Sequence, residues 1–104
     1  MTETRIDQDW LEAAVDLQIA STDAGSSVIA LEKRAEGPGG GPYWVYCTRT
    51  LRLRLEALRT LAKQAQRDLE SAAQLEFLTR SLDDVGTVAQ AVLDRLDNQA
   101  RIDQ

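Results

Sequence analysis

Apolar residues recur at alternating steps of three and four along most of this chain, the spacing that places side chains on one face of an α-helix. The first row comprises Trp10, Ala14, Leu17, Ser21, Ala24, Val28, Leu31 and Ala35. The second comprises Leu51, Leu55, Leu58, Ala62, Ala65, Leu69 and Ala72, and the third Leu75, Leu78, Leu82, Val85, Ala89, Val92 and Leu96. Heptad-like rows of this kind are typical of helices packed at shallow angles in bundles and coiled coils.

The boundaries between the rows decide where the helices end. The second and third rows meet at Ala72–Leu78, where two successive steps of three shift the buried face. No obvious breaker lies there, so the pattern predicts a helix that continues while its buried face rotates. Ser81–Gly86 is a better interruption, because Ser81 with Asp84 resembles a capping pair and glycine lowers helix propensity by about 1 kcal/mol relative to alanine. At the N-terminus, Asp9 with Glu12 is a plausible helix start.

We therefore predict an all-α protein, a helical hairpin with a long second helix and a third C-terminal helix. The expected single domain spans residues 1–104, with a helix at about 8–35, a Gly/Pro turn at 36–43, and helices at about 45–81 and 84–101. An α+β alternative remains, because residues 21–27, "STDAGSS", are weak helix formers. If they form a loop, a β-hairpin at about 27–49 would pair "SVIALEKR" with "YWVYCTR".

The stretch "EGPGGGPYWVYC", residues 36–47, holds four of the six glycines and both prolines. A phosphate-binding loop would need a lysine and a serine or threonine directly after the last glycine, but Gly41 is followed by Pro42. A turn that reverses the chain is the remaining interpretation. Tyr43, Trp44 and Tyr46 beside it either fasten the second helix onto the first or offer a surface to a partner.

Composition narrows the range of possible functions. The chain has 104 residues, no histidine and one cysteine, Cys47. Without histidine it lacks the usual general base near neutral pH and the commonest metal ligand. We therefore expect a non-enzymatic protein without cofactor or metal. The single cysteine and the polar N-terminus favour a cytoplasmic protein, and no apolar run approaches the roughly 20 residues that cross a bilayer.

Charge is unevenly distributed along the chain. Residues 1–36 and 68–104 each carry eight acids and three bases, whereas residues 37–67 carry one acid and six bases. On helices, five bases would form one stripe away from the apolar row: Arg49, Arg52, Arg59, Lys63 and Arg67. Four acids would form a matching face on the first helix: Asp9, Glu12, Asp16 and Asp23. Both sets are expected on outer faces, where they could contact another molecule.

Several apolar residues lie off the three rows, namely Leu11, Ile19, Ile29, Leu53, Leu61 and Phe77. Because contact between two helices cannot bury them all, we expect self-association into a homo-oligomeric or mixed bundle. The function that fits is a protein–protein interaction module: a structural subunit, adaptor or small chaperone. An acidic inhibitor that binds the basic surface of a nucleic-acid-binding protein is the alternative. Direct nucleic-acid binding through the basic stripe comes third, because a pI near 4.6 disfavours it.

Overall fold

Three α-helices make up the computed structural model, which describes residues 7–37 and 39–102, with the side chains of 100–102 left out. Helix α1 is Gln8–Glu36, α2 is Pro42–Arg67 and α3 is Ala72–Ile102. The described residues contain no strand, so the all-α prediction is confirmed and the β-hairpin alternative at 27–49 is wrong. Residues 21–27 are helical, and their small side chains lie within α1.

The ends of α1 and α2 are formed by local hydrogen bonds and by glycine. Asp7, rather than the predicted Asp9, caps α1 by accepting a hydrogen bond from the Trp10 backbone N–H at 2.8 Å. In the turn, Gly39 has φ +86°, and a Cβ on Gly40 would overlap the carbonyl oxygen of Ala35. Pro42 then opens α2 at a position where no backbone donor is needed.

The prediction of one long helix across residues 45–81 is wrong, because α2 ends at Arg67. The Glu70 N–H donates to the Ala65 carbonyl at 2.9 Å, and the Leu69 N–H donates to the Gln66 carbonyl at 3.2 Å. This pair of bonds is a Schellman motif, whose left-handed position is usually glycine. Here Leu69 occupies it with φ +52°. The Ser71 hydroxyl then accepts from the Gln74 N–H at 3.2 Å and caps α3.

The predicted interruption at 81–86 is also wrong, because α3 runs through it without a break. The Ser81 hydroxyl donates to the Phe77 carbonyl at 3.1 Å within the helix and caps nothing. Gly86 faces α1, where a Cβ placed on it would lie 3.5 Å from the Ala24 Cα. The glycine therefore lies in the α1–α3 contact, at a distance where a methyl group would also fit.

Helices α1 and α3 run parallel and form the most extensive helix–helix contact. Near their beginnings, the Trp10 indole N–H donates to the Glu70 carbonyl at 2.7 Å. Near their ends, Arg34 Nε donates to Asp97 Oδ1 at 3.0 Å. Helix α2 runs antiparallel to both and packs against each. The Cα trace is a rod of 68 × 19 × 15 Å.

The core follows the predicted rows closely. Its fully buried side chains are Leu17, Val28, Leu31, Leu55, Leu75, Leu82 and Ala89, among others. Leu69 departs from its row, since it lies in the turn and is 40% exposed. The six off-row apolar residues all remain exposed, at Leu11, Ile19, Ile29, Leu53, Leu61 and Phe77. A single copy of this bundle therefore completes its core and still presents apolar side chains on its surface.

Candidate functional site

Two members of the predicted basic stripe are turned toward α1 and are not on the outer face. Arg52 Nε donates to Glu32 Oε2 at 3.0 Å. Arg59 donates to the Ser21 hydroxyl at 3.1 Å and to the Ser21 carbonyl at 2.9 Å. The prediction that the whole stripe faces outward is wrong for these two residues. They fasten α2 to α1, so they belong to the scaffold.

Pairing shifts the pKa values of both Glu32 and Arg52. Hydrogen bonding to the guanidinium lowers the pKa of Glu32, and the opposing effect of burial is smaller. The same hydrogen bond raises the pKa of Arg52. Both side chains are about a third exposed or less, at 31% and 27%. Solvent screening keeps the contribution of such a pair to stability at about 1 kcal/mol or less.

The outward side of α2 carries an apolar row that the core does not use. Tyr46 and Leu53 are each 71% exposed and Leu61 is 50% exposed. At 100° per residue, Tyr46 and Leu53 lie about 160–180° from the buried Leu55, and Leu61 lies about 120° from it. These three side chains therefore point away from α1 and α3.

Cations border this row on both sides. Arg49, Lys63 and Arg67 lie about 80–120° from Leu55 on the side toward α1, and Arg54 lies about 100° away on the other side. Within residues 7–37 and 39–102, none of these four cations has an ion pair or hydrogen-bond partner. We call the set the outer face of α2: Tyr46, Leu53 and Leu61 with Arg49, Arg54, Lys63 and Arg67.

The predicted aromatic cluster is divided between core and solvent. Trp44 is partly buried and packs against the core, whereas Tyr43 is exposed. Their rings meet edge to face with centroids 5.1 Å apart. With Cys47 of α2 and Val92 of α3, they line an open cleft of about 550 Å³ at one end of the bundle. Trp44 thus fastens α2 in place, and Tyr46 belongs to the outer face.

The four predicted acids of α1 are all exposed, and two of them help to form a groove between α1 and α3. Asp16, Ile19 and Asp23 line it from α1, and Thr79 and Asp83 line it from α3. We call these five residues, with Ala20 at the floor, the acidic groove. Among the residues that the structure describes, no basic side chain lines it. Asp9 and Glu12 lie outside it, one to two turns nearer the beginning of α1.

The acidic groove lies on the side of the bundle away from α2. On α1, the α2-contacting residues Ser21 and Glu32 lie about 40–60° to one side of the buried Leu17. Asp16 and Asp23 lie about 100–120° to its other side. No residue of α2 lines the groove. The molecule therefore has a basic, partly apolar face and an acidic groove on opposite sides.

Sequence reasoning missed part of each surface. Arg54 lies across the apolar row from the other cations, so its position on the helix does not place it in the predicted basic stripe. The spacing of Tyr46, Leu53 and Leu61, interpolated by Thr50 and Ala57, is itself a row of steps of three and four and was a detectable signal. Asp83 has no corresponding signal in the sequence, since only the parallel packing of α3 on α1 brings it into the groove with Asp16 and Asp23.

The part of the chain that the structure describes has neither a membrane-spanning helix nor a cluster of metal-ligating side chains. No helix there combines the length and hydropathy needed to span a bilayer. No group of three or more histidine, cysteine, aspartate or glutamate residues there is arranged to hold a metal ion. The acidic groove contains three carboxylates, those of Asp16 and Asp23 on α1 and of Asp83 on α3.

No family model, curated protein or solved structure matches this chain.

Proposed function

We propose that this protein is a non-catalytic protein–protein interaction module whose binding surface is the outer face of α2, and that its partner is an acidic helical surface with apolar residues at its centre. One observation carries the proposal. Three large apolar side chains, Tyr46, Leu53 and Leu61, stand 50–71% exposed in a row on a helix whose opposite side already completes the core.

The chemistry of the partner follows from the charges around that row. Residues 42–67 carry six bases and one acid, and four of those bases have no partner among the described residues. Cations bordering an apolar strip favour a partner with apolar residues in the middle and carboxylates at the edges. An amphipathic helix laid along α2 has that arrangement.

Nucleic acid fits this face less well than protein does. Phosphate contacts would use the flanking cations but would leave Leu53 and Leu61 against a charged backbone. The rest of the molecule is also acidic, since residues 8–36 carry six acids and two bases and residues 72–102 carry five acids and three bases. Those segments repel phosphate, whereas a compact helical partner on α2 avoids them.

The test compares two matched variants, Leu53→Glu on the outer face of α2 and Ile29→Glu on α1. Both replace an exposed aliphatic residue in the middle of a helix, so both should fold like the wild type. Proteins retained by immobilised wild type from its native host are identified by mass spectrometry, purified and titrated against each variant. We expect an acidic partner whose affinity falls at least tenfold with Leu53→Glu and stays unchanged with Ile29→Glu.

Equal affinity for the two variants would contradict the proposal. A DNA or RNA oligonucleotide serves as the probe for nucleic-acid binding at about 150 mM salt. Binding that weakens steeply with salt and is lost in Arg49→Glu would instead indicate a nucleic-acid-binding protein.

A second candidate function is favoured by the acidic groove, which could occupy a basic surface of a different protein. Asp16 and Asp23 from the predicted acidic face meet Asp83 there with no cation among the lining residues. In that case Asp16→Asn with Asp23→Asn would abolish partner binding and Leu53→Glu would not. The two candidate functions are thus separated by the same set of titrations.

A further inference from the structure

We propose that the acidic helical surface bound by the outer face of α2 is the acidic groove of a second copy of this chain, so that copies associate head to tail. This inference rests on the proposed function and names the partner. Its starting observation is that one molecule displays both complementary surfaces, and displays them on opposite sides.

Charge complementarity supports a second copy as the occupant. The outer face of α2 contributes four cations that have no partner among the described residues, and the groove contributes Asp16, Asp23 and Asp83 with no described cation lining it. Two copies of the outer face would repel each other, and so would two copies of the groove, since like charges opposed across an interface are unfavourable. Only the unlike pair brings opposite charges together.

The apolar residues of the two surfaces also correspond. Ile19 lies in the groove and is 53% exposed, and the neighbouring Val15 is 57% exposed. Leu53 and Leu61 stand at the centre of the outer face of α2. Docking would place aliphatic side chains against aliphatic side chains, with carboxylates and cations at the edges, as in other interfaces with an apolar centre and a polar rim.

Groove shape is compatible with a helix as occupant. Helices α1 and α3 approach closely through small residues, because Gly86 faces Ala24, with Ala20 and Ala89 also buried. Their other edge already accommodates a helix, the chain's own α2. With a partner's α2 in the acidic groove, the α1–α3 pair would have one α2 helix on each side, making four helices in all.

Because the two surfaces differ, the contact is heterologous. A copy cannot dock its own α2 into its own groove, since they lie on opposite sides of the bundle. Each added copy leaves one free face and one free groove, so association continues as a chain or closes as a ring. A helix of 26 residues is about 39 Å long and about 10 Å wide, so its footprint is roughly 400 Å², small for a stable interface. We expect weak association that depends on concentration and salt.

The deciding experiment uses two complementary variants with neutral, exposed substitutions. The face variant carries Leu53→Gln and Leu61→Gln, and the groove variant carries Asp16→Asn, Asp23→Asn and Asp83→Asn. Circular dichroism and thermal melts establish that both fold like the wild type. Sedimentation velocity is then measured for each protein alone and for an equimolar mixture, from about 10 μM to about 1 mM at low salt.

The wild type should form a concentration-dependent series of oligomers that shrinks as salt rises. Each variant alone should have an affinity at least tenfold weaker and sediment as a monomer of 11.5 kDa. The mixture should recover a one-to-one dimer, because the face variant retains its groove and the groove variant retains its face. The dimer should not grow further, since both remaining surfaces are impaired.

Three results would overturn the inference. A wild type that is monomeric at about 1 mM excludes self-association. A wild type that assembles while the mixture stays monomeric shows that copies meet through other surfaces. Self-association by both variants alone would show the same. None of these results refutes the proposed function, because binding of a different acidic protein to the outer face of α2 is measured separately with Leu53→Glu and Ile29→Glu.

Discussion

Two glycines inside helices, Gly86 and Gly25, should respond differently to substitution by alanine. Glycine in a helix is less favourable than alanine by about 1 kcal/mol, so Gly→Ala at either site gains that amount unless the new methyl group collides with a neighbour. At Gly86 a Cβ would lie 3.5 Å from the Ala24 Cα and 3.9 Å from its Cβ, which is ordinary van der Waals contact. Gly86→Ala should therefore raise the free energy of unfolding by about 1 kcal/mol and Tm by about 4–8 °C.

At Gly25 the neighbour is different. A Cβ there would overlap the guanidinium of Arg59, which donates to the Ser21 carbonyl at 2.9 Å and to its hydroxyl at 3.1 Å. Arg59 is a flexible side chain and can move away, but it then loses those bonds, worth about 1–2 kcal/mol when the donor is charged and partly exposed. Gly25→Ala should therefore leave stability unchanged or lower it by up to about 1 kcal/mol.

A double-mutant cycle separates the two contributions at Gly25. In an Arg59→Ala background the collision is absent, so Gly25→Ala should recover its full gain of about 1 kcal/mol. Urea unfolding followed by circular dichroism at a few micromolar protein measures all five proteins, with equal m values as the check on two-state behaviour. Loss of more than about 1 kcal/mol in Gly86→Ala would refute the α1–α3 packing. Equal gains at Gly25 and Gly86 in the wild-type background would refute the position of Arg59.

Three other outcomes are expected, each measurable by the same unfolding assay. Leu69→Gly should stabilise the protein by about 1 kcal/mol, because leucine at φ +52° occupies a conformation that glycine adopts without strain; destabilisation would refute the Schellman ending of α2. Because the pKa of Glu32 is lowered in the folded protein, the stability that its pair with Arg52 contributes is present above the ordinary pKa near 4.5 and is lost as pH falls through the lower folded pKa. Glu32→Gln should therefore weaken the dependence of the free energy of unfolding on pH below 4.5. An unchanged pH profile would exclude the pair. Leu82→Ala removes a fully buried side chain and should cost about 2–5 kcal/mol; a cost below 1 kcal/mol would contradict its place in the core.

The helical faces could be predicted from the sequence because core packing repeats with the helix period. The row from Leu75 to Leu96 marks the buried side of α3, and Leu55, Ala62 and Ala65 do so for α2. The end of α2 could not be predicted by the usual signals, because Leu69 stands where glycine is typical of a Schellman motif. The shift in the apolar row at Ala72–Leu78 is the sequence feature that corresponds to the break between α2 and α3.

The interruption predicted at Gly86 is wrong because local helix propensity does not decide the structure there. Glycine lowers helix propensity locally, yet α3 continues through Gly86, which packs against Ala24 of α1. Tertiary contact of this kind outweighs about 1 kcal/mol of propensity. Tertiary packing also decides which residues of the predicted basic stripe are left on the surface. Arg52 and Arg59 share a stripe with Arg49 in the sequence, but only packing shows that the first two bind α1 and the third does not.

Hydroxyl-radical footprinting tests most directly whether the outer face of α2 binds a protein surface. Labelling of the protein in its native cells is compared with labelling of the purified protein at about 1 μM, residue by residue. Tyr46, Leu53 and Leu61 should be protected in cells, while Ile29 and Phe77, exposed on α1 and α3, should be labelled equally in both samples. Equal labelling of the outer face of α2 in the two samples, or protection confined to Ile29 and Phe77, would contradict the proposal.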